Sequence, residues 1–335
     1  MSTAVHALRC STLRNSARLR SVTTDVRIRR VVIIILIGYL SMTAAAGILL
    51  CDGALHPARR ALTAVDESQA HEMARSHHAN LAEVSIHTRD LITLHAWLLT
   101  PDHPNTNTVI LLHGLSDNRV GMTGYAELLL DHHYVVLQPD ARAHGASDGT
   151  LATYGLLERD DIREWLRWLA QTQHSTCIYG LGESMGAAQL LQGAAAEPNF
   201  CAVVAESSFS NLHEIAYDRV GQFFRTGPWL GRTLFRPAIE FAFTYGRWKY
   251  GLDLRNVSPE AAATNTSVPI LLIHGKDDGN IPVRHGERIA ARNPARNPKI
   301  ALWVVPHADH CGAISTSGKE FETRVLTWFE NHSKR

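Results

Sequence analysis

A serine placed to act as a nucleophile is the clearest chemical feature of this sequence. Residues 182–186 read Gly-Glu-Ser-Met-Gly, after an apolar run typical of a strand and before a stretch typical of a helix. In that context, G-x-S-x-G forms a nucleophile elbow, a turn so tight that glycines must stand two residues before and after the serine. The pattern predicts that Ser184 presents its hydroxyl at the carboxyl end of a sheet.

A nucleophilic serine needs a general base, and the base needs an acid that orients it. In a strand–turn–helix setting the chain order is serine, acid, histidine, and both partners follow later strands. Asp278 comes after the apolar run 269–274, and His310 comes after the run 301–305. These positions predict His310 as the base and Asp278 as the acid.

Neighbouring residues leave alternatives open. Asp277 could replace Asp278 as the acid, and His307 could replace His310 as the base. Glu183 lies beside the serine, where an acid also favours the N-terminus of the following helix. Cys311 is interpreted as a packing residue.

A mostly parallel sheet would position these residues. Near-continuous apolar runs separated by amphipathic helical stretches indicate a parallel sheet covered on both faces. Two alternating segments at 81–87 and 91–99 predict an antiparallel hairpin before it, which makes the sheet mixed. The predicted strands are 108–113, 134–139, 176–180, 201–205, 269–274 and 301–305, and the helices include 123–132, 156–169, 185–196, 283–291 and 319–331.

One interval, about residues 208–265, is too long for a simple crossover between strands. Within it, residues 209–250 hold eleven of the chain's 24 aromatic residues. Aromatic residues at helical spacing often only pack together, but they also line apolar ligand sites. We expect a helical lid that lines a pocket for an apolar acyl group, with aromatic residues that include Phe223, Phe224, Trp229, Phe241, Phe243, Tyr245 and Trp248.

Taken together, these features resemble the α/β-hydrolase fold family, in its serine esterase, lipase and aminopeptidase-like branch, over about residues 81–332. Residues 111–115 (Leu-Leu-His-Gly-Leu) are similar to the family's oxyanion-loop His-Gly, here His113 and Gly114. Residues 138–147 are similar to its D-x-R-G-x-G-x-S loop, with Ala143 in place of the usual glycine.

The resemblance also implies roles for single residues. Ser184 would be the nucleophile, His310 the general base, and Asp278, at the family's HG-x-x-D spacing, would hold the imidazole. The backbone N–H groups of Leu115 and Met185 would form the oxyanion hole, where one donor is typically worth about 2.7–4 kcal/mol. Gly182 and Gly186 would support the elbow. The resemblance implies no cofactor.

The charge of the chain is unevenly distributed. The 335 residues are 45% hydrophobic and 19% charged, which excludes a disordered chain. The net charge of +1 does not indicate a nucleic-acid partner. Residues 1–30, however, hold seven arginines and one acid, so that the remainder carries 33 − 7 = 26 basic and 32 − 1 = 31 acidic residues.

An apolar run explains this basic tip. Val31–Leu50 is twenty residues long without a charge, enough for about 30 Å of helix, the thickness of a bilayer core. Arg27, Arg29 and Arg30 precede it, so we expect a cytoplasmic N-terminus and a catalytic domain outside the cytoplasmic membrane. A signal peptide cleaved at residues 44–46, with a secreted product, is the alternative, but the run and its leader are long for one. The bulky Leu50 argues against a lipoprotein site at Cys51.

Cys177 and Cys201 are predicted to form a disulfide. Each begins a predicted strand, the two strands should be neighbours, and an extracytoplasmic domain lies in an oxidising space. Two small buried side chains are the alternative interpretation.

Other kinds of site fit poorly. His71-Glu72 is followed by Arg75 where a zinc-binding H-E-x-x-H needs its second histidine. Gly180-Leu181-Gly182 begins a dinucleotide fingerprint, but Met185 occupies the position of its third glycine. We therefore expect no metal, no cofactor and no nucleic acid.

The predicted layout is a basic cytoplasmic tip (1–30), a transmembrane anchor (31–50), a linker or stalk (51–80) and a hydrolase domain (81–335). The predicted function is serine hydrolysis of carboxylic esters. A serine aminopeptidase-like peptide or amide hydrolase is one alternative. A membrane-tethered binding protein that uses the same scaffold without catalysis is another.

Overall fold

The structure, a computed structural model, describes residues 3–292 and 299–334. Residues 1–2 of the predicted basic tip and Arg335, the last residue of the predicted hydrolase domain, lie outside these ranges. The strands are β1 (Ala79–His87), β2 (Thr93–Pro101), β3 (Asn107–Leu112), β4 (Val135–Pro139), β5 (Cys177–Glu183), β6 (Ala202–Glu206), β7 (Ile270–Gly275) and β8 (Ile300–Val305). The helices are α1 (Thr3–Leu55), α2 (Ala64–Ser76), α3 (Thr123–Asp131), α4 (Glu158–Thr172), α5 (Met185–Ala196), α6 (Leu212–Phe223), α7 (Trp229–Arg232), α8 (Arg236–Tyr250), α9 (Pro259–Thr264), α10 (Arg284–Ala291) and α11 (Ala313–Asn331).

The strands form one mixed sheet in the order β1-β2-β4-β3-β5-β6-β7-β8. The hairpin strand β1 pairs antiparallel with β2, and β2 pairs antiparallel with β4, whereas the pairs from β4 to β8 are parallel. The mixed, mostly parallel sheet predicted from the apolar rhythm is confirmed. Because the parallel strands share one direction, the residues that follow β3, β5, β7 and β8 meet at one edge.

Both faces of the sheet are covered by helices. On one face, buried residues of α3 and α11, such as Leu129 and Phe321, pack with strand residues such as Val204. On the other face, residues of α4 and α5, such as Trp165 and Leu190, pack with Val203. Neighbouring strand residues thus point to opposite faces, as the two-residue period of a strand requires.

Residues 51–80 differ from the predicted stalk. The helix α1 continues to Leu55, and α2 lies against the domain with Met73 and Ala74 in the same core cluster as Leu99. The alanine-rich composition suggested a spacer, but a short amphipathic helix with three buried positions is a packing element. Only residues 56–63 and the turn at 77–78 lack regular structure in this part of the chain.

The helix α1 is continuous from Thr3 to Leu55 and includes the predicted anchor. Its segment Val26–Leu55 is long and apolar enough to cross a membrane, with a mean hydropathy of 2.3, and a signal sequence has the same properties. Thr43, Gly47, Cys51 and Leu55 are buried at four-residue intervals, which places them on one face of the helix.

The long interval between β6 and β7 is helical, as predicted. The helices α6 and α8 share a third apolar cluster with the end of α1, and α7 packs against both of them, whereas Ala263 of α9 belongs to the core beneath the sheet. The predicted lid therefore consists of α6–α8. Its aromatic residues are divided, since Phe243 is buried while Phe223, Trp229 and Trp248 are 81%, 67% and 80% exposed.

Candidate active site

The turn after β5 places Ser184 at the edge where the parallel strands end. Ser184 has φ 52° and ψ −114°, a left-handed conformation that is strained for a residue with a side chain. A Cβ atom at Gly186 would lie 2.1 Å from the carbonyl oxygen of Leu112, and one at Gly182 would lie 2.7 Å from the backbone of Gly186. Glycine is therefore required at both positions. The N–H of Ser184 donates to the carbonyl of Glu206 at 2.9 Å, which secures the turn to β6.

His310 lies between Ser184 and Asp278. Its Nε2 atom is 2.9 Å from the serine Oγ, and its Nδ1 atom is 2.9 Å from Oδ2 of Asp278. The other carboxylate oxygen of Asp278 accepts from the N–H groups of Asn280 and Ile281 at 2.9 and 2.7 Å. The structure thus brings together the three residues chosen from the sequence, and each lies just beyond its strand.

The two alternatives from the sequence lie away from the serine. The side chains of Asp277 and His307 are 61% and 90% exposed and face each other at 3.7 Å. Burial opposes the charge of Asp278, but hydrogen bonds from His310 and from the backbone of Ile281 keep the pKa of Asp278 below its ordinary value. Asp278 is therefore an anion that can orient a neutral imidazole and stabilise the imidazolium.

The loop after β3 lies close to the serine. A Cβ atom at Gly114 would be 3.6 Å from the Cβ of Ser184, and Leu115 lines the cavity beside the serine. Met185 begins α5, and the first N–H groups of a helix have no partner within it. The predicted donors, Leu115 and Met185, therefore belong to a loop and a helix that both adjoin Ser184.

His113 stabilises this loop instead of facing the cavity. Its Nε2 accepts from the N–H of Ala141 at 3.0 Å, so that its Nδ1–H donates to the carbonyl of Gly114 at 2.7 Å. Burial and the neighbouring His144 lower the pKa of His113 to about 4, which keeps the ring neutral. His144 in turn accepts from the N–H of Ser116 at 3.2 Å.

The loop at 138–147 has a structural role. Asp140, which is fully buried, accepts from the backbone N–H and the guanidinium of Arg119 and from the N–H of Ala146. Ala143 has φ 63°, so the departure from the family's glycine falls at a left-handed position. Arg119 was not identified from the sequence, because nothing local marks it as the partner of an aspartate 21 residues further along the chain.

Two carboxylates, those of Glu183 and Glu206, lie next to the turn that carries Ser184. The hydroxyl of Tyr125 is 2.9 Å from Glu206 and 3.3 Å from Glu183, and the N–H of Ala313 donates to Glu206 at 2.9 Å. Burial, and then the charge of Glu206, raise the pKa of Glu183 to about 7, and burial also raises the pKa of Glu206. The contacts of Glu206 with Tyr125 and Ala313 were not predicted from the sequence, although an acid at the end of an apolar strand was the available signal.

An apolar cavity of about 190 Å³ adjoins Ser184. The lid supplies residues such as Ile239 and Phe243 to its wall. The end of α1 supplies Leu50, Cys51 and Ala54. Among the side chains that the structure describes, no cluster of three or more His, Cys, Asp or Glu residues is placed to hold a metal ion.

The predicted disulfide is confirmed. The sulfur atoms of Cys177 and Cys201 are bonded; Cys177 begins β5, and Cys201 immediately precedes the neighbouring strand β6.

Comparisons with known proteins agree with this geometry. Residues 109–323 match the sequence profile described as "Alpha/beta hydrolase family". The uncharacterized protein YqkD of Bacillus subtilis is 31% identical over 232 residues, 68% of this chain and 73% of YqkD. Among solved structures, the esterase PF2001 of Pyrococcus furiosus is 25% identical with a TM-score of 0.66, over 84% of this chain and 99% of that chain.

A second solved structure shares only the fold. The acylaminoacyl peptidase of Pyrococcus horikoshii is 17% identical with a TM-score of 0.56, over 77% of this chain and 42% of that chain. The match to the family profile covers more than half of this sequence, and the elbow, the mixed sheet and the strand-end residues described above fit it. The chain belongs to the α/β-hydrolase family.

Proposed function

We propose that this protein is a serine hydrolase that cleaves carboxylic esters with an apolar acyl group. The observation that carries the proposal is the contact of 2.9 Å between Ser184 Oγ and His310 Nε2 at the edge of an apolar cavity. Similarity to the Pyrococcus esterase supports the ester substrate.

In the proposed reaction, Ser184 Oγ bonds to the carbonyl carbon as its proton passes to Nε2 of His310. The carbonyl oxygen becomes an oxyanion beside the N–H groups of Leu115 and Met185. Collapse breaks the bond to the alcohol oxygen, and the alcohol leaves with the proton from His310. Water then gives its proton to His310 and its hydroxyl to the acyl carbon. The carboxylic acid is released as the proton returns to Ser184.

We also propose that α1 is an uncleaved anchor. Cleavage after Ala46 would separate the domain from Tyr39, whose hydroxyl donates to the carbonyl of Leu234 at 2.5 Å, and from the buried Thr43. We expect the intact N-terminus in protein extracted from washed membranes. Protease added to sphaeroplasts should remove the domain, if the arginines before residue 31 hold the N-terminus in the cytoplasm. A mature chain that begins near residue 47 would contradict the anchor.

The test of the activity uses the full chain in detergent, because removal of α1 would take away part of the cavity wall. Wild type, Ser184→Ala and the exposed control Ser85→Ala are compared on p-nitrophenyl esters with acyl chains of four to sixteen carbons. Hydrolysis should disappear in Ser184→Ala alone and should depend on chain length. A fluorophosphonate probe should label wild type and Ser85→Ala but not Ser184→Ala.

Other results would redirect the proposal. Labelling of Ser184 without ester turnover would favour an amide or peptide substrate. A folded wild-type chain with neither labelling nor turnover would favour the binding-protein alternative.

A further inference from the structure

One face of the lid helix α6 lines the cavity beside the nucleophile. The lining residues of this helix occupy positions i, i+3, i+4, i+7 and i+8, which share one side of a helix. They are Leu212, Ile215, Ala216, Arg219 and Val220. Four of the five are apolar, and Arg219 is the only charged residue in the described lining of the cavity. Because an unpaired charge against apolar surface is costly, the partners of Arg219 decide what it does.

The guanidinium of Arg219 contacts two neutral amides. Its Nη1 atom donates to Oε1 of Gln222 at 3.1 Å and to Oδ1 of Asn280. Within the part of the chain that the structure describes, no residue accepts from its Nε or Nη2, and no carboxylate forms an ion pair with it. The N–H groups of Nε and Nη2 point in parallel, as the binding of a carboxylate by two hydrogen bonds requires. That edge of the guanidinium is open.

The two carboxylates whose charges act on Arg219 have other partners. Asp218 accepts from Arg284 through one oxygen, and its other oxygen lies 2.7 Å from Nε2 of His285. Both oxygens of Asp278 are occupied as well, by the imidazole and by two backbone N–H groups. Partial burial lowers the pKa of Arg219, and the charges of these acids oppose that shift without cancelling it. The described residues thus leave the positive charge uncompensated.

Arg219 stands at the mouth of the cavity, beside the loop that carries the acid. The residue is exposed and is also part of the lining. Asn280, which it contacts, donates its backbone N–H to Asp278 at 2.9 Å. Burial raises the pKa of the wall residue Tyr154, and the charge of Arg219 opposes that rise, so the guanidinium lies near this wall. The cation and Ser184 therefore share one cavity, with the cation at its opening.

We propose that the substrate is an ester that carries a carboxylate, which binds to Nε and Nη2 of Arg219 while an apolar part of the substrate fills the cavity. The inference rests on the serine hydrolase activity proposed above. One guanidinium matches one carboxylate, and the described lining holds no second cation for a group of higher charge such as a phosphate. Either the acyl part or the alcohol part of an ester can carry this carboxylate, and the test separates the two.

Two series of substrates measure the preference for a carboxylate. In the first, mono-p-nitrophenyl esters of dicarboxylic acids with six to ten carbons carry the charge at the end of the acyl chain. In the second, acyl esters of 4-hydroxybenzoate carry it on the alcohol. Each substrate is paired with its methyl ester, which removes the charge and keeps the chain. The wild type should favour the charged member about tenfold in kcat/KM in one of the two series.

Variants of the full chain in an uncharged detergent connect this preference to Arg219. Arg219→Gln should lose the preference for the charged member of each pair, mainly through a higher KM. Arg219→Lys should keep part of it, because an ammonium retains the charge without the two parallel donors. The control Arg225→Gln removes an exposed arginine of the lid segment that is absent from the lining, and it should keep the full preference.

Two results would overturn the inference and leave the hydrolase proposal standing. One is a wild type that hydrolyses these esters without favouring the charged member in either series. The other is an equal loss for the charged and neutral members in Arg219→Gln, which would restrict Arg219 to the contact between the lid and the acid loop. A wild type that hydrolyses none of these esters would also overturn the inference, and without fluorophosphonate labelling it would overturn the hydrolase proposal as well.

A measurement on the wild type alone covers the case in which Arg219→Gln fails to fold. Salt screens the attraction between charges that water can reach. The preference for the charged esters should therefore fall when sodium chloride is raised from about 0.05 M to about 0.5 M. A preference that does not change with salt would contradict an ion pair at the mouth of the cavity and would overturn the inference.

Discussion

The carboxylate of Asp278 lies 2.9 Å from Nδ1 of His310, on the side of the ring opposite the nucleophile. Its neighbour Asp277 is 61% exposed and faces His307 instead. Two adjacent aspartates after one strand thus have different surroundings, and only one of them can orient the imidazole.

The first prediction concerns this pair. Asp278→Asn keeps the size of the side chain but removes the charge that fixes the imidazole tautomer, so kcat should fall about 10⁴-fold. Asp277→Asn, the matched control, should stay near wild type. The kcat of both variants for a p-nitrophenyl ester, measured in detergent, checks this prediction. A large loss in Asp277→Asn with little change in Asp278→Asn would transfer the role to Asp277.

The second prediction concerns pH and Glu183. Burial raises the pKa of Glu183 to about 7, so the folded state favours the neutral acid while the unfolded chain ionises near the ordinary value. Stability of the wild type should therefore fall as pH rises from about 4.5 to about 7. Glu183→Gln removes this penalty. It should gain up to about 3 kcal/mol relative to wild type by pH 8 and show no such gain at pH 4.

Urea denaturation of the detergent-solubilised chain at pH 4, 6 and 8 measures this difference. The exposed Glu72→Gln serves as the control and should follow the wild type at each pH. A stability difference between Glu183→Gln and wild type that does not change with pH would show that Glu183 ionises normally in the folded protein.

Much of the site could be predicted from the sequence because it depends on local patterns. The glycines around Ser184 mark a turn, and the ends of parallel strands converge, so an acid after β7 and a histidine after β8 could be expected beside it. The same reasoning located the Cys177–Cys201 disulfide, since two residues at the beginnings of neighbouring strands must lie close together. The resemblance to the family, through its HG-x-x-D spacing, selected Asp278 over Asp277.

The contacts of the lid and the anchor could not be predicted in this way. Tyr39 and Leu234 are 195 residues apart in sequence, and neither stands in a pattern that selects the other. Aromatic spacing predicted a lid, but it could not separate Phe243, which lines the cavity, from Phe223, which faces outward. Burial of such side chains depends on which helix packs beside them, and that is a tertiary property.

The third prediction concerns the disulfide. It closes a segment with a sequence separation of 24, and a loop of that length is worth about 3.5 kcal/mol in the chain-entropy description. The double variant Cys177→Ala/Cys201→Ala should lose stability by about this amount in urea denaturation. Dithiothreitol should lower the stability of the wild type and leave the double variant unchanged. An equal response of both proteins to the reductant would indicate that the bond does not form in the cell.

The last prediction concerns Gly186, two residues after the nucleophile. A methyl group at Gly186 would meet the backbone carbonyl oxygen of Leu112 at 2.1 Å, and the backbone at the two positions is held in α5 and β3. Neither side can yield as a flexible side chain would, so Gly186→Ala should displace α5 from the sheet. We expect a loss of several kcal/mol in stability, in the range of severe core changes, and no fluorophosphonate labelling of Ser184.

Gly124 on α3 provides the matched control, because a Cβ atom there would meet no atom within 4 Å. Gly124→Ala should raise stability by about 0.5–1 kcal/mol, since alanine loses less backbone entropy in a helix than glycine. Urea denaturation and probe labelling of the two variants measure the contrast. A Gly186→Ala variant that folds and labels like wild type would mean that the elbow can relax, and the close approach of α5 to β3 would then not be required to hold Ser184.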